Sequence, residues 1–81
     1  MKECSIDDEE IIEIYKRIGK NVAKFRKEKG ITQLALSLAI NHKSVGTISM
    51  AEINHKNKHF NIEHLIKIAD VLEVDICKFF K

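Results

Sequence analysis

The stretch "GITQLALSLAINHKSVGTISMAE" (residues 30–52) decides the fold. Thr32 is of a residue type that favours a helix N-cap. Leu36 and Ile40 lie four residues apart, as apolar side chains do on one face of a helix. Asn41 can end that helix because Asn tolerates a left-handed backbone. The stretch therefore predicts a short helix between Thr32 and Asn41.

A second short helix follows after the turn "INHK". Ser44 can cap a helix over residues 45–53, whose buried side would consist of Ile48, Ala51 and Ile53. Two short helices joined by a tight turn are the components of a helix-turn-helix.

The rest of the chain also has helical spacing. A first helix is expected to begin near Ser5 and to end before Gly30, either unbroken or interrupted near Gly19. Residues 54–61 are polar and non-periodic, which predicts a loop. Asn61 can cap a fourth helix with Leu65, Ile68, Ala69 and Leu72 inward, and Asp75 a short fifth. The chain has no proline and only three glycines, so the predicted class is all-α.

The net charge of +2 is unevenly distributed. Residues 1–15 carry one lysine against six acidic residues, a net charge of −5, and residues 16–81 carry 13 basic and six acidic residues, a net charge of +7. A basic body favours an anionic partner, although a solvated basic surface is the plain alternative. Without a signal peptide or a membrane-length apolar run, Cys4 and Cys77 are expected to be cytoplasmic free thiols, with Cys77 filling the core.

Residues 18–80 resemble the Cro/lambda-repressor (XRE-type) helix-turn-helix family. The resemblance rests on "IGKNVAKFRKEKGITQ" (18–33), "TIS.AE" (47–52) and "IEHLIKIADVLEVDICKFF" (62–80). It implies a compact five-helix lambda-repressor-like domain over residues 18–81, with residues 1–17 as an acidic N-terminal extension of the first helix. It also implies binding to double-stranded DNA, usually as a homodimer.

The resemblance also implies phosphate contacts. Gln33 lies where relatives grip a phosphate, and Glu52 lies where relatives keep an acidic residue that pairs with the first helix, here with Arg26. The expected phosphate-binding residues are Gln33, Lys43, Lys56, Asn57 and Lys58.

Base contacts are expected from the helix that follows Ser44, because a recognition helix docks in the major groove. Val45 and Gly46 stand where relatives often carry Arg, Gln or Ser. Val45 and Met50 could pack on thymine methyl groups, or they could be ordinary helix residues or part of a dimer surface. The expected base-facing residues are Ser44, Val45, Gly46, Ser49 and Met50.

Two surfaces compete as the dimer interface. Ile76, Phe79 and Phe80 at the C-terminus include one ring that must close the core, and the other ring can face outward or join it. The alternative is the first helix, where Ile11, Ile12 and Ile14 are too broadly apolar for one buried stripe.

Catalytic and cofactor motifs are missing from the sequence, so we expect neither an enzyme nor a cofactor. His55, His59 and His64 lack the compact ligand pairs of a zinc site, and we expect no metal. A chain ending at Lys81 favours a compact regulator: a restriction-modification controller, a phage-type repressor or an antitoxin. The rival prediction is a protein-interaction module on the same fold, with a protein as its main partner.

Overall fold

Four α-helices account for most of the chain in the computed structural model, which describes residues 1–42 and 44–81. They are α1 (Asp8–Glu28), α2 (Gln33–Ala39), α3 (Val45–Glu52) and α4 (Ile62–Leu72). The predicted all-α class is confirmed for the described residues, but the count of five α-helices is wrong. The fifth element, Ile76–Phe80, is a 3-10 helix, and a further 3-10 turn, His55–Asn57, lies in the predicted loop.

No helix in the described ranges has both the length and the apolar content needed to cross a lipid bilayer.

The first helix is continuous through Gly19, and it begins later than Ser5. Asp7 is its N-cap, with a side chain that accepts a hydrogen bond from the Glu10 amide at 2.9 Å. The predicted stop at Gly30 is confirmed. Gly30 has φ +70°, and the next residue, Ile31, donates its amide to the Arg26 carbonyl at 3.1 Å. This left-handed C-terminal motif turns the chain directly into α2.

The backbones of α1 and α3 come into close contact at Gly19. A Cβ atom at this position would overlap the Ala51 carbonyl oxygen and would lie 2.6 Å from that of Glu52. A helical glycine normally costs stability, so this one is explained by the close approach of two backbones.

The helix caps follow the sequence prediction in most places. The Thr32 side chain accepts the Ala35 amide at 3.0 Å, and Asn41 is left-handed with φ 58°. Asn61 and His64 form a reciprocal capping box at the start of α4. Ser44 occupies the N-cap position of α3 but makes no capping hydrogen bond with its side chain.

The core lies between the four α-helices and the C-terminal 3-10 helix, each of which contributes at least one buried apolar side chain. The predicted inward residues of α4 are confirmed as buried. Phe79 is completely buried, packs against Phe25 with ring centroids 6.0 Å apart, and accepts a hydrogen bond on its carbonyl from Asn21 at 2.9 Å. The fully buried side chains include Val22, Leu36, Ile48, Leu65, Ile68, Leu72 and Phe79.

Two expected core residues are at the surface. Ile53 is 72% exposed because α3 ends at Glu52, and Asn54, in the left-handed region, is buried in its place. Cys77 is exposed because the C-terminal segment is a 3-10 helix. With three residues per turn, Ile76 and Phe79 share the inner face, which leaves Cys77 and Phe80 outside.

The Gly19 contact generates a stability prediction. We expect Gly19→Ala to lower the free energy of unfolding by about 1–3 kcal/mol, because the added methyl group forces the α1 and α3 backbones apart. Gly46→Ala in α3 is the matched control. Its Cβ would meet only the rotatable Ser44 hydroxyl at 3.3 Å and the Met50 methyl group at 3.9 Å. We expect this control to gain several tenths of a kcal/mol from helix propensity.

Urea unfolding followed by circular dichroism measures both variants. If Gly19→Ala proves as stable as the wild-type protein, the close contact between α1 and α3 is wrong.

Candidate nucleic-acid interface

Ser37, near the end of α2, stabilises the beginning of the turn that follows this helix. Ser37 is buried; its carbonyl accepts the His42 amide at 2.9 Å, and its hydroxyl donates to the His42 carbonyl at 3.0 Å. Together with the left-handed Asn41, these bonds hold the chain in a tight turn from the end of α2 to His42. Lys43, one of the expected phosphate contacts, lies outside the described residues.

A buried ion pair fixes the other end of α3. Arg26 and Glu52 are only 7% and 6% exposed. The guanidinium donates from Nε to Glu52 Oε2 at 2.7 Å and from Nη2 to Oε1 at 3.1 Å. This is the two-pronged geometry that makes arginine–carboxylate pairs strong and directional. The pairing that the family resemblance implied is therefore confirmed.

The same ion pair also holds the start of α2. Arg26 Nη1 donates to the Ile31 carbonyl at 2.7 Å, and Gln33 Nε2 donates to Glu52 Oε1 at 2.8 Å. Gln33, expected at a phosphate, thus has its amide nitrogen on Glu52. The network joins the last turn of α1, the first turn of α2 and the last turn of α3.

Four of the expected base-facing residues lie on α3, and the fifth, Ser44, is its N-cap residue. Val45 and Ser49 are one turn apart, as are Gly46 and Met50, while Ile48 and Ala51 are buried on the opposite side. Ser44 and Val45 are exposed, and Gly46, Ser49 and Met50 are half-buried. Gly46, Ser49 and Met50 thus lie on the side away from the core, Val45 lies at its edge, and Ser44 precedes the helix.

The Ser44 and Ser49 hydroxyl groups differ in whether they can still donate a hydrogen bond. Ser49 donates its hydroxyl hydrogen to the Gly46 carbonyl at 3.1 Å, so its oxygen is left to accept. The Ser44 hydroxyl makes no cap bond and can donate or accept. The face as a whole is mostly apolar.

The segment after α3 presents its basic side chains to solvent. Lys56, Asn57 and Lys58 are all exposed, and Asn54, Lys56 and Asn57 have left-handed backbones. The Asn57 amide donates to the Asn54 carbonyl at 3.2 Å, and the Lys58 amide to the His55 carbonyl at 2.9 Å. Because those two amides are used within the turn, Asn57 and Lys58 have only their side chains to offer to phosphates.

Aromatic stacking ties this segment to α1. The rings of His59 and Tyr15 are parallel within 5°, with centroids 3.7 Å apart. His59 Nδ1 also lies 3.1 Å from the Asn57 carbonyl oxygen. His59 is one of the three histidines that the sequence analysis tested as zinc ligands, and its ring lies in this stack.

A pair of histidines lies behind the turn between α2 and α3. The rings of His42 and His64 meet edge to face at 5.2 Å, and Phe60 packs against His64 at 6.2 Å. The His42 Nε2 atom is buried without a hydrogen-bond partner among the described residues. His64 Nδ1 accepts the Asn61 amide at 3.2 Å, so its uncharged form is part of the α4 cap.

The surroundings of His64 disfavour its charged form. Partial burial lowers the pKa of His64, and the neighbouring His42 and Lys67 lower it further, while Glu63 opposes the shift. Protonation at Nδ1 would also remove the acceptor of the capping box.

Sequence reasoning did not find the histidine pair, the Tyr15–His59 stack or the role of Gly19. The first two join residues 22 and 44 positions apart, which no local pattern reveals. Gly19 did carry a signal, because an isolated glycine inside a helical pattern usually has a packing reason.

Among the residues that the structure describes, no group of three or more His, Cys, Asp or Glu side chains is placed to hold a metal ion.

The buried ion pair yields a prediction with an internal control. We expect Glu52→Gln to cost about 3–5 kcal/mol of the free energy of unfolding, because it leaves the Arg26 charge buried and unpaired. Glu63→Gln, which breaks the exposed pair with Lys67 at 3.6 Å, should cost at most about 0.5 kcal/mol. Urea unfolding of both variants measures the contrast. Equal small losses would show that the Arg26–Glu52 pair is solvated.

The histidine pair yields a prediction of pH dependence. The pKa of His64 is lower in the folded chain than its usual value of about 6.5. The unfolded chain therefore takes up the proton first, and the stability from neutral His64 is complete above about pH 6.5. It is lost as the pH falls through the folded-state pKa.

His64→Gln is the matched variant, because glutamine at this position of a capping box keeps an acceptor without titrating. We expect the free energy of unfolding of the wild type to fall more steeply between pH 7 and 5 (about the titration range of histidine) than that of His64→Gln. Parallel pH profiles would contradict the assignment.

Comparison with known protein families agrees with this geometry. A family model described as helix-turn-helix matches residues 22–79, from the middle of α1 to the buried Phe79. No curated protein matches the chain. The match covers α2, the turn, α3 and the ion pair that holds them. The chain belongs to the Cro/C1-type helix-turn-helix family.

Proposed function

We propose that this protein is a sequence-specific DNA-binding transcriptional regulator of the small repressor or controller type, which reads an operator with the outer face of α3. The observation that carries this proposal is the attachment of α3. Its last turn is bound through Glu52 to α1 and α2, while Val45 in its first turn is exposed and Ser49 and Met50 are half-buried. The major groove of B-DNA admits an α-helix, so a helix that is held in this way can present its exposed residues to the bases.

The composition of that face indicates how it would read bases. Val45, which is 41% exposed, and Met50 can pack on thymine methyl groups. The Ser49 oxygen, with its hydrogen committed to Gly46, can accept from an adenine or cytosine amino group. Gly46 has no side chain to hold the helix away from the bases. We therefore expect half-sites with thymines opposite Val45 and Met50.

Phosphate contacts would fix the position of α3 on the duplex. The proposed anchors are Gln33 at the start of α2, Lys43 in the turn, and the side chains of Lys56, Asn57 and Lys58. Gln33 retains its carbonyl oxygen and its second amide hydrogen after bonding to Glu52. Such contacts position a protein without reading sequence.

A homodimer is part of the proposal, because one helix-turn-helix reads few base pairs and a twofold operator with half-sites about 34 Å apart doubles them. We propose neither a catalytic activity nor a cofactor. The exposed free thiols of Cys4 and Cys77 fit the reducing cytoplasm.

A second candidate function is a protein-interaction module on the same fold, such as an antitoxin. The observation that favours it is the outer face of α2, where Leu34 and Leu38 are exposed one turn apart and the helix carries no charged residue. Exposed apolar patches of this kind mark binding sites for proteins.

A gel shift against the DNA upstream of the protein's own gene distinguishes the two functions. The regulator is expected to form a discrete complex that survives an excess of unrelated DNA. Binding that is equally tight to all sequences and lost at moderate salt would contradict the regulator and favour the interaction module.

The basic side chains after α3 generate a salt-dependence prediction. Replacing Lys56 and Lys58 by Ala should weaken binding to operator and unrelated DNA about equally. Each lost phosphate contact should reduce the slope of log K against log salt by about 0.9. Lys78→Ala in the C-terminal 3-10 helix is the control. An unchanged slope in the double variant would exclude this segment from the DNA interface.

The apolar face of α3 generates a specificity prediction. Met50→Ala or Val45→Ala should change the preference at one or two base pairs, with about 1–3 kcal/mol at each altered position. Selection from a randomised duplex library measures the profile of each variant. If both variants select the wild-type site, α3 does not read bases through these residues.

A further inference from the structure

One apolar groove lies on the side of the domain formed by α1, the start of α4 and the C-terminal 3-10 helix. Its volume is about 350 Å³. Ile14, Ile62 and Phe80 line it and are exposed, with Phe80 42% accessible. Phe60 and Leu65 form part of its buried floor. A groove with exposed aliphatic and aromatic walls is a typical binding surface.

The N-terminal part of α1 extends the same apolar surface. Ile11 and Ile14 continue the helical stripe that Ile18 and Val22 bury in the core, yet both are exposed. Every side chain from Asp8 to Ile14 is exposed except the half-buried Ile12. A helix in a protein is stabilised mainly by packing of its apolar face. At this end of α1 the apolar stripe is left exposed in the described chain.

The two dimer surfaces suggested by the sequence are therefore one surface. Phe80 from the C-terminus and Ile14 from the first helix line the same groove. Phe79, the other aromatic candidate, is a core residue and has no surface to contribute, whereas Ile76 is half-buried.

The distribution of charge along α1 indicates which partner can bind in the groove. Its first half carries Asp8, Glu9, Glu10 and Glu13, and its second half is mainly basic. Glu10 lies four residues before Ile14 and Arg17 three residues after it, on the same side of the helix. Both are exposed, and no ion pair between described residues involves either of them.

We propose that a second copy of this chain docks in the groove, with the two α1 helices antiparallel and crossing near Ile14. In this arrangement Ile14 and Ile11 of each copy enter the groove of the other, beside Ile62 and Phe80. Twofold symmetry then places Glu10 of each copy against Arg17 of the second copy.

A parallel arrangement would set acidic turns against acidic turns, so the charge pattern selects the antiparallel one. This inference rests on the proposed function only for the reason to dimerise, namely a twofold operator.

Analytical ultracentrifugation of the full chain without DNA tests the groove. The wild type is expected to be a dimer at micromolar concentration. Ile14→Asp should raise the dimer dissociation constant by about a hundredfold, because it puts a charge at the centre of an apolar interface. Ile53→Asp, an equally drastic change at an exposed residue just after α3, is the control and should leave the constant unchanged. Circular dichroism verifies that both variants are folded.

A charge-reversal experiment tests the antiparallel arrangement. Glu10→Arg and Arg17→Glu should each weaken the dimer by roughly tenfold or more, because like charges then meet twice. An equimolar mixture of the two variants should restore dimerisation, because each altered residue then meets an opposite charge. Glu28→Arg at the other end of α1 is the matched control and should have no effect.

Three results would overturn the proposal: a wild type that stays monomeric at every concentration, a dimer that Ile14→Asp does not weaken, or a mixture of the charge variants that fails to pair. The same experiments, combined with a DNA-binding assay, distinguish a failure of the proposed function from a failure of the proposed dimer. A dimer with these properties that does not bind operator DNA refutes the regulator and leaves the interface standing. A monomeric Ile14→Asp variant that still binds a single half-site shows that the two surfaces are independent.

Discussion

The ion pair between Arg26 and Glu52 is the interaction on which the arrangement of the other helices depends. It is almost completely buried, and its hydrogen bonds reach the last turn of α1, the carbonyl of Ile31 and the first turn of α2. A buried ion pair often contributes little net stability compared with an apolar pair, yet the loss of one partner is costly. Its main effect here is on position. The two hydrogen bonds that the guanidinium donates fix the orientation of the carboxylate and therefore of the last turn of α3.

The need for such a fixed point follows from the size of α3. An isolated helix of eight residues is unstable in water. The N-cap serine of α3 makes no capping bond, and glycine occupies its second position. What holds α3 is tertiary: Ile48 and Ala51 in the core, the close contact with Gly19, and Glu52 on Arg26. Ile48 and Ala51 face the core, so the side of α3 that carries Gly46, Ser49 and Met50 is left for the proposed base-reading role.

Much of this architecture could be predicted from local sequence signals. Thr32, Asn61 and Gly30 are residues whose side chain or backbone freedom suits a single helix-end geometry, and all three occupy it. The helical spacing of the apolar residues also identified the buried side of α4. The errors at Ile53 and Cys77 both fall where the chain leaves the α-helix. Helical spacing predicted Ile53 on the buried side of α3, and the apolar neighbours of Cys77 predicted a core position. The residues of the candidate site came from the family resemblance, and their actual contacts, such as Gln33 on Glu52, depend on long-range packing that no local pattern contains.

The most direct test of the account is a nuclear magnetic resonance titration of the isotopically labelled protein with its operator duplex. If α3 is the reading helix and the ion pair holds it in place, the largest amide shifts will occur at residues 44–50, at the start of α2 and at residues 55–58. The Arg26 side-chain Nε resonance should keep its position, because the pair is already formed in the free protein. Shifts concentrated on the outer face of α2 or in the groove around Ile14 and Phe80, with the α3 amides unmoved, would contradict it.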